Sequence, residues 1–149
     1  MKKWIVAASV LVAVAIATFA FIWLRIPDLE PKVKVVAVHS EKYNDTLYIK
    51  MMIWGVTWDH RIILVSESPD KSQDVFFHPD INREYIIKGW TRFFYRLECD
   101  TLQLYVDYRS DIPALFDSRI VVRQNVLTGS EMFDLSTNYE ARGLKTVEW

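Results

Sequence analysis

The sequence predicts a mainly β chain, in which a single N-terminal transmembrane α-helix is followed by an antiparallel β-sandwich-like domain. Three observations predict it. Of the 21 residues from Trp4 to Leu24, 19 are apolar, interrupted by Ser9 and Thr18. Two prolines, Pro27 and Pro31, follow within a short stretch. From Lys32 onward the apolar residues recur with period two, as on half-buried strands.

The apolar run defines the first element, residues 1–25. As a helix it is about 32 Å long at about 1.5 Å per residue, against a hydrocarbon layer about 30 Å thick. A helix also satisfies every backbone polar group within itself, which lipid demands. Trp4 and Trp23 stand near the two ends, where amphipathic rings favour the headgroup level. Lys2 and Lys3 precede the run, and Leu24 and Arg25 close it. Ala15-Ile16-Ala17 offers a small-x-small pattern for a cleaved signal. Phe19–Leu24 carries the apolar run well past it, which favours an uncleaved signal-anchor. The basic residues before the run, and the long chain after it, place the C-terminal part outside the cytoplasm.

Residues 26–31 form the second element. Each proline removes a backbone donor and disfavours helix at the residue before it. The segment reads as a short, stiff spacer.

Residues 32–149 form the third element, an extracytoplasmic β-domain. In Thr101–Tyr108, Leu102, Leu104, Val106 and Tyr108 share one face. In Arg92–Glu98, Phe93, Tyr95 and Leu97 do the same. A two-residue loop at Cys99-Asp100 pairs Leu97 with Leu102, Tyr95 with Leu104 and Phe93 with Val106. A one-residue slip would set those apolar residues against polar ones, so the pattern selects the register. Further strands are expected at Val33–His39, Leu47–Trp54, Arg61–Ser66, Asp74–His78, Glu84–Lys88, Ser118–Gln124 and Glu131–Leu135. Ser110–Phe116 suggests one helical turn, and Val126–Gly129 a bend.

Composition excludes several classes of function. One Cys cannot form an intramolecular disulfide or a multi-thiol zinc site. A net charge of −1 gives no electrostatic footprint for nucleic acid. No glycine-rich phosphate loop and no nucleophile elbow occurs. No cofactor is expected.

The candidate residues are therefore few. His39, His60 and His78 are the only histidines. An enzyme or metal-binding domain would have to bring these three together with acids such as Asp59 or Asp80, although no two share a ligand-spaced motif. Cys99 lies between Glu98 and Asp100, two carboxylates that oppose thiolate formation. Asn44-Asp45-Thr46 matches a glycosylation acceptor, and equally a turn. Trp54, Trp58, Trp90, Phe93, Phe94, Tyr95 and Tyr105 make the middle of the domain rich in aromatics. Phe94, Tyr105, Trp58 and Trp90 are the candidates for an interaction surface, since exposed aromatic rings anchor interfaces. The layout resembles, in outline, small bacterial envelope proteins with one anchor and one β-domain. The expected partners are the lipid bilayer, through residues 4–24, and an envelope or membrane protein. A lipid or small ligand held inside the β-domain is a further possibility.

Overall fold

The computed structural model describes residues 11–21, 30–55, 60–88 and 93–147. The chain divides into two units, Met1–Glu30 and Pro31–Trp149.

In the first unit, residues 11–21 are helical (α1) and every one of them is exposed. Thr18 satisfies its hydroxyl within the helix, donating to the Val14 carbonyl at 2.8 Å. Among the described residues no helix is long and apolar enough to cross a membrane. The expectation of a span over Trp4–Leu24 thus goes beyond what is described. Lys2, Lys3, Trp4, Trp23, Leu24 and Arg25 lie outside the described residues.

The second unit is mainly β, with two four-stranded sheets. Sheet 1 contains β1 (Lys32–Ser40), β2 (Asp45–Trp54), β3 (His60–Ser66) and β4 (Tyr85–Lys88), antiparallel throughout and in that order. Asn44 closes the β1–β2 turn at φ 48°, a left-handed conformation that Asn tolerates better than most residues. Sheet 2 contains β5 (Phe94–Glu98), β6 (Thr101–Val106), β7 (Val121–Val126) and β8 (Lys145–Thr146), in the order β7-β6-β5-β8. The β5–β6 hairpin has the expected register, with Leu97 opposite Leu102 and Tyr95 opposite Leu104. Cys99 makes its turn possible by adopting φ 54°.

Period two sorts the side chains between faces. Leu47, Ile49, Met51, Ile63 and Val65 from sheet 1 pack with Tyr95, Leu102, Leu104 and Val106 from sheet 2, forming the main core. The sheets are thus sandwich-like, inner face to inner face.

Each outer face carries an apolar patch, and each patch is covered by a helix. α2 (Gln73–Phe77) brings Phe76 onto Met52, Ile62 and Leu64. α3 (Gly129–Asn138) brings Met132 and Leu135 onto Phe94, with Leu144 completing the cluster. Asp74–His78 and Glu131–Leu135 are therefore helical, correcting the strands expected there. Both windows are too short for period alone to distinguish the two states, and the outer faces need cover. α3 carries its own start signal, a capping box. The Thr128 hydroxyl accepts from the Glu131 amide at 3.4 Å, and the Glu131 carboxylate accepts from the Thr128 amide at 2.8 Å.

One pairing departs from the antiparallel expectation. β7 runs parallel to β6, because residues 107–120 carry the chain back along the side of the sandwich. This crossover contains a turn at Ala114-Leu115 and not the helical turn expected at Ser110–Phe116.

Candidate functional site

The crossover and the edge of sheet 1 together border a concave feature of the domain. β4 is the last strand of sheet 1, so its outer edge faces the crossover and no further strand. Ser110 joins the two. Its hydroxyl accepts from the Ile86 amide at 3.0 Å and donates to the Asp111 carbonyl at 3.1 Å. Its own backbone is gripped by Gln124 on β7, whose Oε1 accepts from the Ser110 amide at 2.7 Å. The Gln124 amide group donates back to the Ser110 carbonyl at 2.9 Å. A second tie runs from the Leu115 amide to the Asn82 carbonyl at 2.7 Å.

Beside these ties lies a cleft of about 440 Å³. Ile81, Ile86, Ile87 and Tyr108 supply its apolar lining, and Glu84, Lys88, Arg109 and Asp111 its polar groups. Four large apolar side chains stand exposed on the two bordering segments. These are Ile81 (69% exposed), Tyr108 (71%), Ile112 (77%) and Leu115 (60%). Both signs of charge are present around the cleft, so it carries no strong net charge.

Glu84 also borders a second cavity, of about 270 Å³, on the outer face of sheet 1. Its floor is Lys50, in the middle of β2 and fully buried. The Lys50 ammonium meets the Glu84 carboxylate at 2.8 Å, with side-chain exposures of 0% and 8%. The other Glu84 oxygen accepts from the Asp80 amide at 3.2 Å. Burying two charges is tolerable only when each has partners of this kind. Glu67, Asp70, Asp74, Asp80, His78 and Arg83 complete the lining. The Ser72 amide and hydroxyl hold the Asp70 carboxyl below the usual carboxylate range, and the positive charge of Lys50 adds to the effect.

The histidines do not converge on either feature. His39 lies on β1, with Nδ1 2.9 Å from the Thr46 hydroxyl. His60 begins β3 and stacks on Trp54, ring centroids 5.6 Å apart. His78 caps α2 at its C-terminal end and lines the second cavity. Among the described residues no three His, Cys, Asp or Glu side chains gather into a metal-holding group. Cys99 is exposed at the hairpin tip.

The aromatic surface expected at Phe94 and Tyr105 is corrected. Both lie on the outer face of sheet 2, but that face is covered by α3. Phe94 is fully buried, with its ring 5.2 Å from that of Tyr139, and Tyr105 is half-buried in the same cluster. Trp58 and Trp90 lie outside the described residues.

Sequence reasoning passed over Lys50, Glu84, Ser110, Tyr108 and Ile112. Lys50 had a signal, as a lone charge between Ile49 and Met51 inside an apolar strand. Ser110 had none, since its partners come from distant parts of the chain.

Comparison with protein-family models, curated proteins and solved structures finds no match to this chain.

Proposed function

We propose that this chain is a membrane protein anchored once, through Trp4–Leu24, whose β-domain is a non-catalytic docking module for another envelope protein. The docking surface in this reading is the cleft beside β4. The observation that carries it is the cleft in which exposed Ile81 and Tyr108 stand beside Ile86 and Ile87 of the outer strand of sheet 1. Single exposed apolar residues are ordinary on a soluble domain, whereas a grouped set beside a cleft marks a contact site. Apolar anchors with a polar rim are the usual anatomy of a protein interface, and Lys88, Arg109 and Asp111 supply that rim here. An extended partner segment suits the site, because an outer strand edge offers backbone groups for strand addition.

The test is site-specific photo-crosslinking in cells. A crosslinker at Tyr108 is expected to give one discrete adduct with another protein. Ile81→Lys, on a cleft side chain 69% exposed and therefore outside the core, is expected to abolish that adduct. A crosslinker at Phe133, also exposed but on α3, serves as the control. A Tyr108 adduct no stronger than that of Phe133, or one indifferent to Ile81→Lys, overturns the reading.

A further inference from the structure

The strands of the sandwich sort the chain between two ends. The domain begins at Pro31, and Lys32 pairs with Ile53 at the start of β1. Trp54 pairs with His60, and Lys88 with Ile62, at this same end of sheet 1. Sheet 2 has the same sense. Its hairpin tip at Asp100 is bonded to Lys42 and Tyr43, in the β1–β2 turn at the other end, at 2.6 and 3.0 Å. Phe94, at the opposite end of β5 from that tip, pairs with Thr146. The end where the chain enters the domain is therefore also the end of β2, β4 and β8.

Aromatic side chains concentrate at this entry end. Trp54 is half-buried, stacks on exposed His60 and meets the edge of Phe77 at 6.4 Å, and Phe77 is 53% exposed. Gln73 of α2 donates to the Pro31 carbonyl at 3.4 Å, which brings that helix to the entry point. The other three tryptophans of the domain lie outside the described residues.

Charge is sorted too. Among the described residues the strands carry Lys32, Arg61, Lys88 and Lys145 toward the entry end, with Asp107 just beyond β6. Glu41, Asp45, Glu67, Glu98 and Asp100 lie toward the other end, where Lys42 and Arg119 balance only part of their charge. Amphipathic rings favour the headgroup level of a bilayer, and basic residues are drawn to anionic lipid.

We infer that the β-domain stands on the membrane by this entry end, with Trp54, His60 and Phe77 against the lipid headgroups and the Cys99 hairpin tip pointing away. The inference rests on the anchor proposed above, since it is the apolar run before Pro31, joined by residues 26–31, that holds this end near lipid. The occupant of the aromatic end is thus a lipid surface.

Cys99, exposed at the far end, is a built-in reference position. Full-length protein is reconstituted in vesicles of phosphatidylcholine and phosphatidylglycerol containing phosphatidylcholine spin-labelled at the headgroup or, in a parallel set, deep in the acyl chain. A thiol-reactive fluorophore is placed at Cys99, or in a Cys99→Ser background at Val12→Cys, Phe77→Cys or Lys88→Cys. The second entry-end position covers the case that Phe77→Cys disturbs the packing of Trp54. Relative to Cys99, quenching is expected to be severalfold stronger at positions 77 and 88 with the headgroup label and at position 12 with the acyl-chain label. Strong quenching at 12 with 88 no more quenched than Cys99 overturns the inference and leaves the anchor standing. No quenching at 12 overturns the anchor, and the inference with it.

Discussion

Lys50 and Glu84 show what a single pair of residues does for the fold. Lys50 is fully buried and Glu84 nearly so, and each has the other as its counter-ion. Removing one partner leaves a buried charge uncompensated, which costs about 3–5 kcal/mol in comparable settings. Lys50→Met and Glu84→Gln are each expected to lower the urea midpoint strongly. The double variant removes both charges, keeps an acceptor for the Asp80 amide, and is expected to recover most of the loss. A double variant as unstable as the sum of the singles would mean that the pair is not coupled. The loss should also be local in origin, because Lys50 packs on the outer face of sheet 1 and not in the core between the sheets. Asp70 is close enough to sense the missing ammonium, so the second cavity becomes more negative in Lys50→Met.

At the scale of elements, the two covering helices decide whether the outer faces stay dry. α3 is held at its start by the reciprocal bonds of Thr128 and Glu131. Thr128→Ala is expected to cost about 1 kcal/mol, read as a lower denaturation midpoint. Faster hydrogen exchange over residues 129–138 is expected to accompany it. The strands were legible before the structure wherever one face is apolar and the other polar, and the β5–β6 hairpin is the clearest case. Leu97, Leu102, Tyr95 and Leu104 can be paired in only one register that keeps them together. The helices were less legible because Asp74–His78 and Glu131–Leu135 alternate as well as they wind. The useful signal in α3 is the Thr128-x-x-Glu131 spacing, which is a property of the helix start and not of its apolar face. The parallel β6–β7 pairing could not be read from either strand, since it depends on the route taken by residues 107–120. The cleft beside β4 was hidden for the same reason. Tyr108 and Ile81 are far apart in the chain and meet only because Ser110 and Leu115 tie the crossover to β4 and to Asn82.

For the whole molecule, carboxylates tie distant segments together and make stability depend on acid. Burial works to raise the Asp45 carboxyl, but bonds from the Ser118 hydroxyl and the Arg119 and Thr46 amides outweigh it and hold it low. The bond from Lys42 outweighs burial and, with a lesser bond from Tyr43, keeps the Asp100 carboxyl low, and the Thr128 amide and hydroxyl keep Glu131 low. A group with a depressed folded value binds fewer protons folded than unfolded. Its contribution is complete above the unfolded value, about 4 for a carboxylate, and is lost as pH falls through the folded value. The urea midpoint is therefore expected to stay level from about pH 7 to pH 5 and to fall below about pH 4. Asp45→Asn is expected to flatten that fall, and an equally steep fall in the variant would assign it elsewhere. The closing strand of sheet 2 has a consequence for how the protein is made. β5 gains its second neighbour only when Lys145 and Thr146 arrive, and Val147 then enters the main core. At roughly 5–20 residues per second, a ribosome that has completed β5 takes several seconds more to deliver them. For that interval one edge of a central, apolar strand is open to other chains. A nascent protein of this design is most vulnerable to aggregation between the synthesis of β5 and that of β8, and shielding of β5 by a chaperone matters most in that interval.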